Sequence, residues 1–231
     1  MISDKHISLI LPCLNEEKGL NKILKRLPKC VNEVIIIDGN SADKSVQIAR
    51  KYKAKVIIEK KRGYGLALRT GFEIASNSII ATLDADATYP MDEIEPMFNF
   101  LKKNNVDFLV ACRFPLINRS SMAVKNFFGN LLFSALISLF FNMQVTDVCS
   151  GMWLMKKETW DKIKNKIYDQ KWFFSNEIKI EALLTKNTKY EEYWIELKER
   201  MGETKAGNPW ISGLRILGHI IIKRLTTYWR K

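Results

Sequence analysis

Short apolar runs and stretches of helical spacing take turns along the first half of the chain. Ile7–Cys13, Ile-Ser-Leu-Ile-Leu-Pro-Cys, reads as a buried strand, and residues 34–38, 55–59, 79–84 and 107–112 read the same way. Helices are expected between them. One opens at Leu14-Asn15-Glu16-Glu17 and runs through Leu27, its early acidic residues favouring a helix N-terminus. Others are expected over 44–53, with Asp43 as N-cap, over 66–75 and over 91–104. Strand and helix alternate about every 20–25 residues, which predicts an α/β fold with a mostly parallel, doubly wound, Rossmann-like sheet and helices on both faces.

After Arg113 the alternation stops. A polar loop is expected over 114–122, a very apolar helix over 123–141, a turn plus strand over 146–155, a helix over 174–184 and a strand over 190–197. The polar, Gly-containing segment 199–208 is expected to be a mobile loop. A last helix, 210–228, carries Ile211, Leu214, Leu217, Ile221, Ile222 and Leu225 at helical spacing, with Arg215, Lys223 and Arg224 beside them. The expected division is one domain over 1–209 and a C-terminal amphipathic helix over 210–231. Within the domain, a first half (1–113) precedes a second (114–209).

In open sheets of this kind ligands bind beyond the carboxyl ends of the strands. Pro12 and Asn15, Asp38, Asp84 and Arg113 all stand at or just after such ends, so the polar residues collect on one edge. The sharpest feature there is Ile79–Pro90, where an apolar run ends in Asp84-Ala85-Asp86. Two carboxylates one residue apart suit a hard divalent cation that takes few protein ligands and holds substrate phosphates. The plainer reading is a strand end followed by a polar turn that Pro90 closes.

Composition adds constraints. A chain of 231 residues that is 47% apolar suits one α/β domain with elaborations. Cys13, Cys30, Cys112 and Cys149 are scattered without metal-ligand spacing, which argues against a zinc site or a disulfide framework and fits a reducing compartment. The 37 Lys and Arg against 25 Asp and Glu leave a net charge of +12, which calls for nucleic acid, an anionic membrane surface or phosphorylated substrates. Residues 1–5 run straight into a strand, with no cleavable apolar core. The stretch 127–141, interrupted only by Asn130 and two serines, is shorter than the roughly 20 residues a span needs. It is expected either in the core or lying in a membrane interface.

Six motifs in order carry a resemblance. They are Leu-Pro-Cys-Leu-Asn-Glu-Glu at 11–17, Ile-Ile-Asp-Gly-Asn-Ser-Ala-Asp-Lys-Ser at 36–45 and Arg-Gly-Tyr-Gly-Leu-Ala-Leu-Arg-Thr-Gly at 62–71, then Asp-Ala-Asp at 84–86, Thr-Asp-Val-Cys-Ser-Gly at 146–151 and Arg-Met-Gly-Glu-Thr-Lys at 200–205. The chain resembles the inverting family 2 glycosyltransferases of GT-A fold, and within them the dolichyl- or polyprenyl-phosphate hexose synthases. The resemblance implies a UDP- or GDP-hexose donor and a Mg²⁺ or Mn²⁺ ion held by Asp86, with Asp84 near the metal or the ribose. It implies that Pro12, Asn15 and Glu16 line the nucleotide edge and that Asp38 bonds base or ribose. It further implies that Gly63 and Gly65 let backbone approach the nucleotide and that Arg69 reaches phosphate. Where the family usually carries a second carboxylate after Asp38, this chain has Gly39-Asn40.

For the acceptor, the resemblance implies polyprenyl or dolichyl phosphate held by Arg113, Arg119, Lys125, Arg200 and Lys205. Arg113 and Arg200 then also count among the catalytic residues, with Asp86. A lipid phosphate is already anionic and needs no general base, whereas a sugar hydroxyl does. Glu177 is the candidate base for that alternative, or a group that orients the donor hexose or a cation. Asp147 is expected to be structural. The expected location is peripheral, on the cytoplasmic face of a membrane, with 123–141 and 210–228 as candidate interface helices. A non-catalytic membrane-docking subunit is the reading from another class. Nucleic-acid binding would explain the charge but not the motifs, so no nucleic-acid partner is expected.

Overall fold

The computed structural model describes residues 6–117, 122–198 and 209–228. Among them seven strands form one sheet in the order β3-β2-β1-β4-β6-β5-β7. The strands are β1 (Ile7–Cys13), β2 (Val31–Asp38), β3 (Lys55–Ile58), β4 (Ile79–Thr82), β5 (Phe108–Cys112), β6 (Trp153–Lys156) and β7 (Tyr190–Trp194). The β1–β2, β1–β4, β2–β3 and β5–β7 pairs are parallel. Strand β6 runs antiparallel to both β4 and β5, with Thr82 opposite Trp153 and Val110 also opposite Trp153.

The helices are α1 (Glu17–Leu24), α2 (Ser45–Lys51), α3 (Tyr64–Ile74), α4 (Ile94–Lys103), α5 (Val124–Phe141), α6 (Lys157–Ile163), α7 (Phe174–Leu184) and α8 (Pro209–Tyr228). Side chains of β1 alternate between the two faces, as the period of a strand requires. Ile7, Leu9 and Leu11 pack with Leu20, Ile23, Ala49, Met97 and Phe98 of α1, α2 and α4. Ile10 packs on the opposite face with Leu68 and Phe72 of α3, Trp160 of α6 and Phe174 and Ile178 of α7. Strands β4 and β5 are buried throughout, which is why they read as unbroken apolar runs.

The expected doubly wound α/β sheet is therefore present. Its differences from expectation are local. Strand β4 ends at Thr82, so Asp84 lies just past the ladder. Helix α6, which follows β6 directly, had no sequence signal beyond Trp160 and Ile163, and seven residues are too few to display a helical period.

Helix α5 explains its own interruptions. Phe133, Ile137 and Phe141 join a third apolar cluster with Ile180 of α7 and Ile220 of α8. On that inward side Asn130 Oδ1 accepts from Cys149 N–H (2.9 Å), Ser134 Oγ accepts from Val148 N–H (3.1 Å), and Ser138 Oγ accepts from Val145 N–H (3.3 Å). The three polar residues thus hold the turn that leads into β6. Val124, Phe128, Leu131, Leu132 and Leu139 face outward, and only 22% of the helix is buried. By length and composition the 18-residue helix is also long and apolar enough to cross a membrane.

Helix α8 is tied to the domain through one buried charge. Lys223 Nζ donates to Glu177 Oε1 (2.9 Å) and to the Lys166 carbonyl (2.8 Å), and lies 2.5 Å from Glu181 Oε1. Nearby, His219 stacks on Phe173 with ring centroids 4.7 Å apart. Removing one member of a buried ion pair leaves the rest uncompensated, which costs about 3–5 kcal/mol. Lys223→Met keeps the stem's volume but strands two buried carboxylates. Calorimetry is expected to record a fall in Tm of roughly 6–20 °C.

Candidate active site

The loops after β1 and β2 are knit together. Asn15, at φ 51°, turns the chain out of β1, accepts from Ala42 N–H through Oδ1 (2.7 Å) and donates its own N–H to Ser41 Oγ (2.8 Å). Glu16 N–H donates to Ser45 Oγ (2.9 Å), so α1 begins against the start of α2. Pro12 is half-buried at the same edge. Asp38, fully buried, accepts from Ser41 through both oxygens, N–H to Oδ2 (2.8 Å) and Oγ–H to Oδ1 (2.5 Å). Asp38, the residue expected to touch base or ribose, thus shapes the turn that forms the edge.

Past β4, Asp86 is buried and its Oδ1 accepts from Thr88 N–H (2.9 Å). Ala87 between them adopts a left-handed conformation (φ 61°), which costs a residue with a side chain roughly 1–2 kcal/mol. The bend turns the chain sharply back beneath the two carboxylates. Asp84 is flanked on both sides. Tyr64 Oη–H, at the first position of α3, donates to its Oδ1 (3.1 Å). Gly151, on the approach to β6, lies so close that a Cβ there would sit 2.8 Å from Asp84 Oδ2. This contact follows from topology, because an antiparallel β6 brings its entry turn to the edge where β4 exits.

The same turn holds the cations. Arg113 donates to buried Asp147 through Nε (2.6 Å), Nη2 (2.6 Å) and its backbone N–H (2.9 Å). Burial works against the Arg113 charge, but Asp147, helped by Tyr89, outweighs it and holds the guanidinium pKa above its ordinary value. Tyr89 Oη accepts from Gly151 N–H (2.6 Å), and burial, against the opposing charge of Arg113, pushes its phenol up to about 12. Lys179 is fully buried beneath the turn and donates to the carbonyls of Val148 (2.6 Å) and Ser150 (2.5 Å).

Asp84 and Asp86 fit a divalent cation in kind: two hard carboxylate donors, adjacent, at the ligand edge of the sheet. Among the described residues no group of three or more His, Cys, Asp or Glu side chains gathers around one point. Such a pair would leave the other coordination positions to substrate phosphate oxygens and water, as Mg²⁺ and Mn²⁺ sites of this kind do.

Residues 8–163, about two thirds of the 231, match the family model described as glycosyl transferase family 2. The chain belongs to that family. It is 28% identical over 223 residues to a dolichyl-phosphate hexose transferase of Haloferax volcanii, an alignment covering 94% of this chain and 92% of the relative. It is also 28% identical over 125 residues to a dodecaprenyl-phosphate galacturonate synthase of Rhizobium johnstonii, covering 48% of this chain and 37% of that one. Among solved structures, glucosyl-3-phosphoglycerate synthase from Mycobacterium tuberculosis with Mn²⁺, UDP and phosphoglyceric acid superposes with a TM-score of 0.71. At 15% identity, over 95% of this chain and 78% of that one, it establishes the shared GT-A fold.

In this glycosyltransferase several of the expected residues make close contacts within the protein. Gly63 and Gly65 admit segment 170–174: a Cβ would sit 2.4 Å from the Gln170 carbonyl or 2.4 Å from Phe174. Arg69 lies over the Trp160 ring (5.3 Å) and donates to the carbonyls of Ile167 (2.6 Å) and Lys164 (3.3 Å), which braces the end of α6. Glu177 is buried, pairs with Lys223 and accepts from Tyr168 N–H (3.0 Å) and Asp169 N–H (2.9 Å). Lys125 is exposed at the start of α5. Arg119, Arg200, Lys205 and the segment 199–208 lie outside the described residues.

Tyr64, Tyr89, Gly151 and Lys179 were not singled out as site residues by sequence reasoning. Tyr64 sits inside the Arg-Gly-Tyr-Gly motif and Gly151 ends another, but their meeting at Asp84 depends on the β6 crossing.

Gly151→Ala displaces only the end of a flexible carboxylate. If the Asp84–Asp86 pair holds a divalent cation, the substitution is therefore expected to leave Tm nearly unchanged while weakening Mn²⁺ binding about 10-fold or more in titration calorimetry. Lys179 gives a pH signature. Burial, against the opposing charge of Asp147, lowers its pKa from an ordinary 10.5 to about 8. Between those values the unfolded chain binds the proton and the fold does not, so this group's contribution to stability rises with pH. The gain amounts to about 3 kcal/mol across the window. Denaturant unfolding of wild type and Lys179→Met from pH 7.5 to 10.5 is expected to give a difference that shifts toward the wild type as pH rises.

Proposed function

We propose that the protein transfers a hexose from a nucleoside diphosphate sugar to a polyprenyl phosphate at a membrane surface, inverting the anomeric centre. The observation that carries this reading is the Asp84–Asp86 pair at the ligand edge of the sheet, beside a turn built around the Arg113–Asp147 pair. The Haloferax relative, aligned along nearly its whole length, supports the same choice of acceptor.

Asp84 and Asp86 would hold a Mg²⁺ or Mn²⁺ ion, which supplies neutralisation of the diphosphate in the ground state and as it leaves. The loops zipped by Asn15, Ser41 and Ser45 form the wall against which the nucleotide lies. A phosphate oxygen of the lipid attacks the anomeric carbon from the face opposite the diphosphate. The new C–O bond forms as the bond to the diphosphate breaks, and no proton has to be removed. Glu177, the residue expected to serve as a base for a hydroxyl acceptor, is engaged by Lys223 and two backbone N–H groups. Arg113, its guanidinium fixed by Asp147, supplies positive charge that needs no reorganisation when the phosphates arrive. Lys125, exposed at the start of α5, is a further cation for the acceptor phosphate, and the resemblance adds Arg119, Arg200 and Lys205 to that role.

Helices α5 and α8 pack on one another and present Phe128, Leu131, Leu132 and Leu139, and Leu214, Ile222 and Leu225, to the outside, beside Lys125 and Arg215. An apolar face rimmed by basic residues suits an anionic cytoplasmic leaflet, where a polyprenyl phosphate headgroup lies. UDP-hexoses are the first donors to test, GDP-hexoses the second.

Purified protein with Mn²⁺, radiolabelled UDP-glucose or GDP-mannose and polyprenyl phosphate in vesicles is expected to yield a chloroform-soluble, acid-labile product. Asp86→Ala is expected to lower that rate roughly 100-fold. Label appearing only in water-soluble glycosides would instead assign a saccharide hydroxyl acceptor, and donor binding without any transfer would assign a non-catalytic role.

A further inference from the structure

The reading above leaves open how two like-charged carboxylates keep one geometry. We infer that Tyr64 is a positioning residue for Asp84 and that Trp172 holds Tyr64 in place for this task.

Tyr64 Oη–H meets Asp84 Oδ1 at 3.1 Å, and its ring stacks on Trp172 with centroids 4.8 Å apart and planes 13° from parallel. Rotation about the last torsion of an aspartate is soft, so a carboxylate without a directional partner samples a broad range. A donor on Oδ1 selects one orientation and directs Oδ2 to the side bounded by Gly151. The phenol can do this only if its ring is fixed, and Trp172, half-exposed, forms the other half of the stack.

The segment that carries Trp172 is pinned at several points. Gly65 N–H donates to the Lys171 carbonyl (3.2 Å) and Leu66 N–H to the Gln170 carbonyl (3.0 Å), tying it to the first turn of α3 where Tyr64 begins. Asp169 Oδ1 accepts from Lys171 N–H (2.6 Å) and Phe174 N–H (3.1 Å). Glu177 Oε2 accepts from Tyr168 and Asp169 N–H and is itself held by Lys223. This arrangement gives the absence of room at Gly63 and Gly65 a purpose: α3 must approach segment 170–174 closely for Tyr64 to reach both Trp172 and Asp84. A tyrosine present only for packing would need neither the hydroxyl contact nor the tightness of the backbone around it.

The inference rests on the metal-carboxylate reading of Asp84 and Asp86, and its test separates the two. UDP binding with and without Mn²⁺ is measured by titration calorimetry, Mn²⁺ binding alone by electron paramagnetic resonance, and Tm by calorimetry. These are applied to wild type, Asp86→Ala, Tyr64→Phe, Trp172→Ala and Trp172→Phe. Tyr64→Phe keeps the ring and the stack and removes only the donor. It is expected to weaken Mn²⁺-dependent UDP binding about 10-fold, with Tm and Mn²⁺-independent UDP binding unchanged. Trp172→Ala is expected to move binding in the same direction, and Trp172→Phe to restore most of it. Wild-type affinity in Tyr64→Phe overturns the inference while leaving the metal reading intact. An equal loss with and without Mn²⁺ also overturns it, by assigning the phenol to the nucleotide, and a loss that only follows a lowered Tm assigns it to packing. The same measurements are made with GDP where wild type prefers it; if wild type binds neither UDP nor GDP better with Mn²⁺, or Asp86→Ala binds as wild type does, the metal reading falls and this inference with it.

Discussion

Two carboxylates placed one residue apart repel, and a site that uses both must keep them from turning away into water. The structure meets this constraint with short-range contacts from three separate parts of the chain. Thr88 N–H holds Asp86 from the following turn, Tyr64 holds one oxygen of Asp84 from α3, and Gly151 closes on the other from the approach to β6. Most of the remaining architecture at this edge serves those contacts. Helix α3 has to start close to segment 170–174, and α5 has to hold the 145–149 turn with Asn130, Ser134 and Ser138.

Buried charge is used in the same economical way. Arg113 is matched by Asp147, whose N–H in turn donates to Glu192 of β7. Lys179 has no carboxylate within hydrogen-bonding distance among its recorded contacts and is met by carbonyls and a hydroxyl, so it bears the desolvation that lowers its pKa. Lys223 is matched twice, by Glu177 and Glu181. Arg113 and Lys179 hold the turn beside the carboxylate pair and Lys223 holds α8 against α7, and each would be costly to leave unpaired, which makes them geometric determinants as much as stabilising ones.

The strand–helix alternation was readable because β1, β4 and β5 are buried on both faces and show it as apolar runs. The carboxylate pair was readable because nothing about burying a strand calls for Asp84 and Asp86 at its end. The contacts that Gly63, Gly65, Arg69 and Glu177 make were not readable, because each depends on a partner distant in sequence. Glu177 looks like any acid in the first turn of a helix until Lys223, 46 residues later, is found against it. Arg69 looks like a free cation until the Lys164 and Ile167 carbonyls, 95 and 98 residues away, come into view. Local periodicity carries no information about such pairings, and the direction of β6 belongs to the same class.

That direction bears on how the molecule comes into being. Strand β6 sits between β4 and β5, so β4 and β5 do not touch, although both belong to the first 112 residues. A nascent chain that has made only β1 to β5 carries an unsatisfied apolar edge on β4, open to pairing with another copy. It closes when residues 153–156 arrive and slot in. Such long-range pairings are slow to form. The surroundings of Asp84 are therefore among the last features to mature, and a half-made chain is at once without its carboxylate edge and prone to self-association.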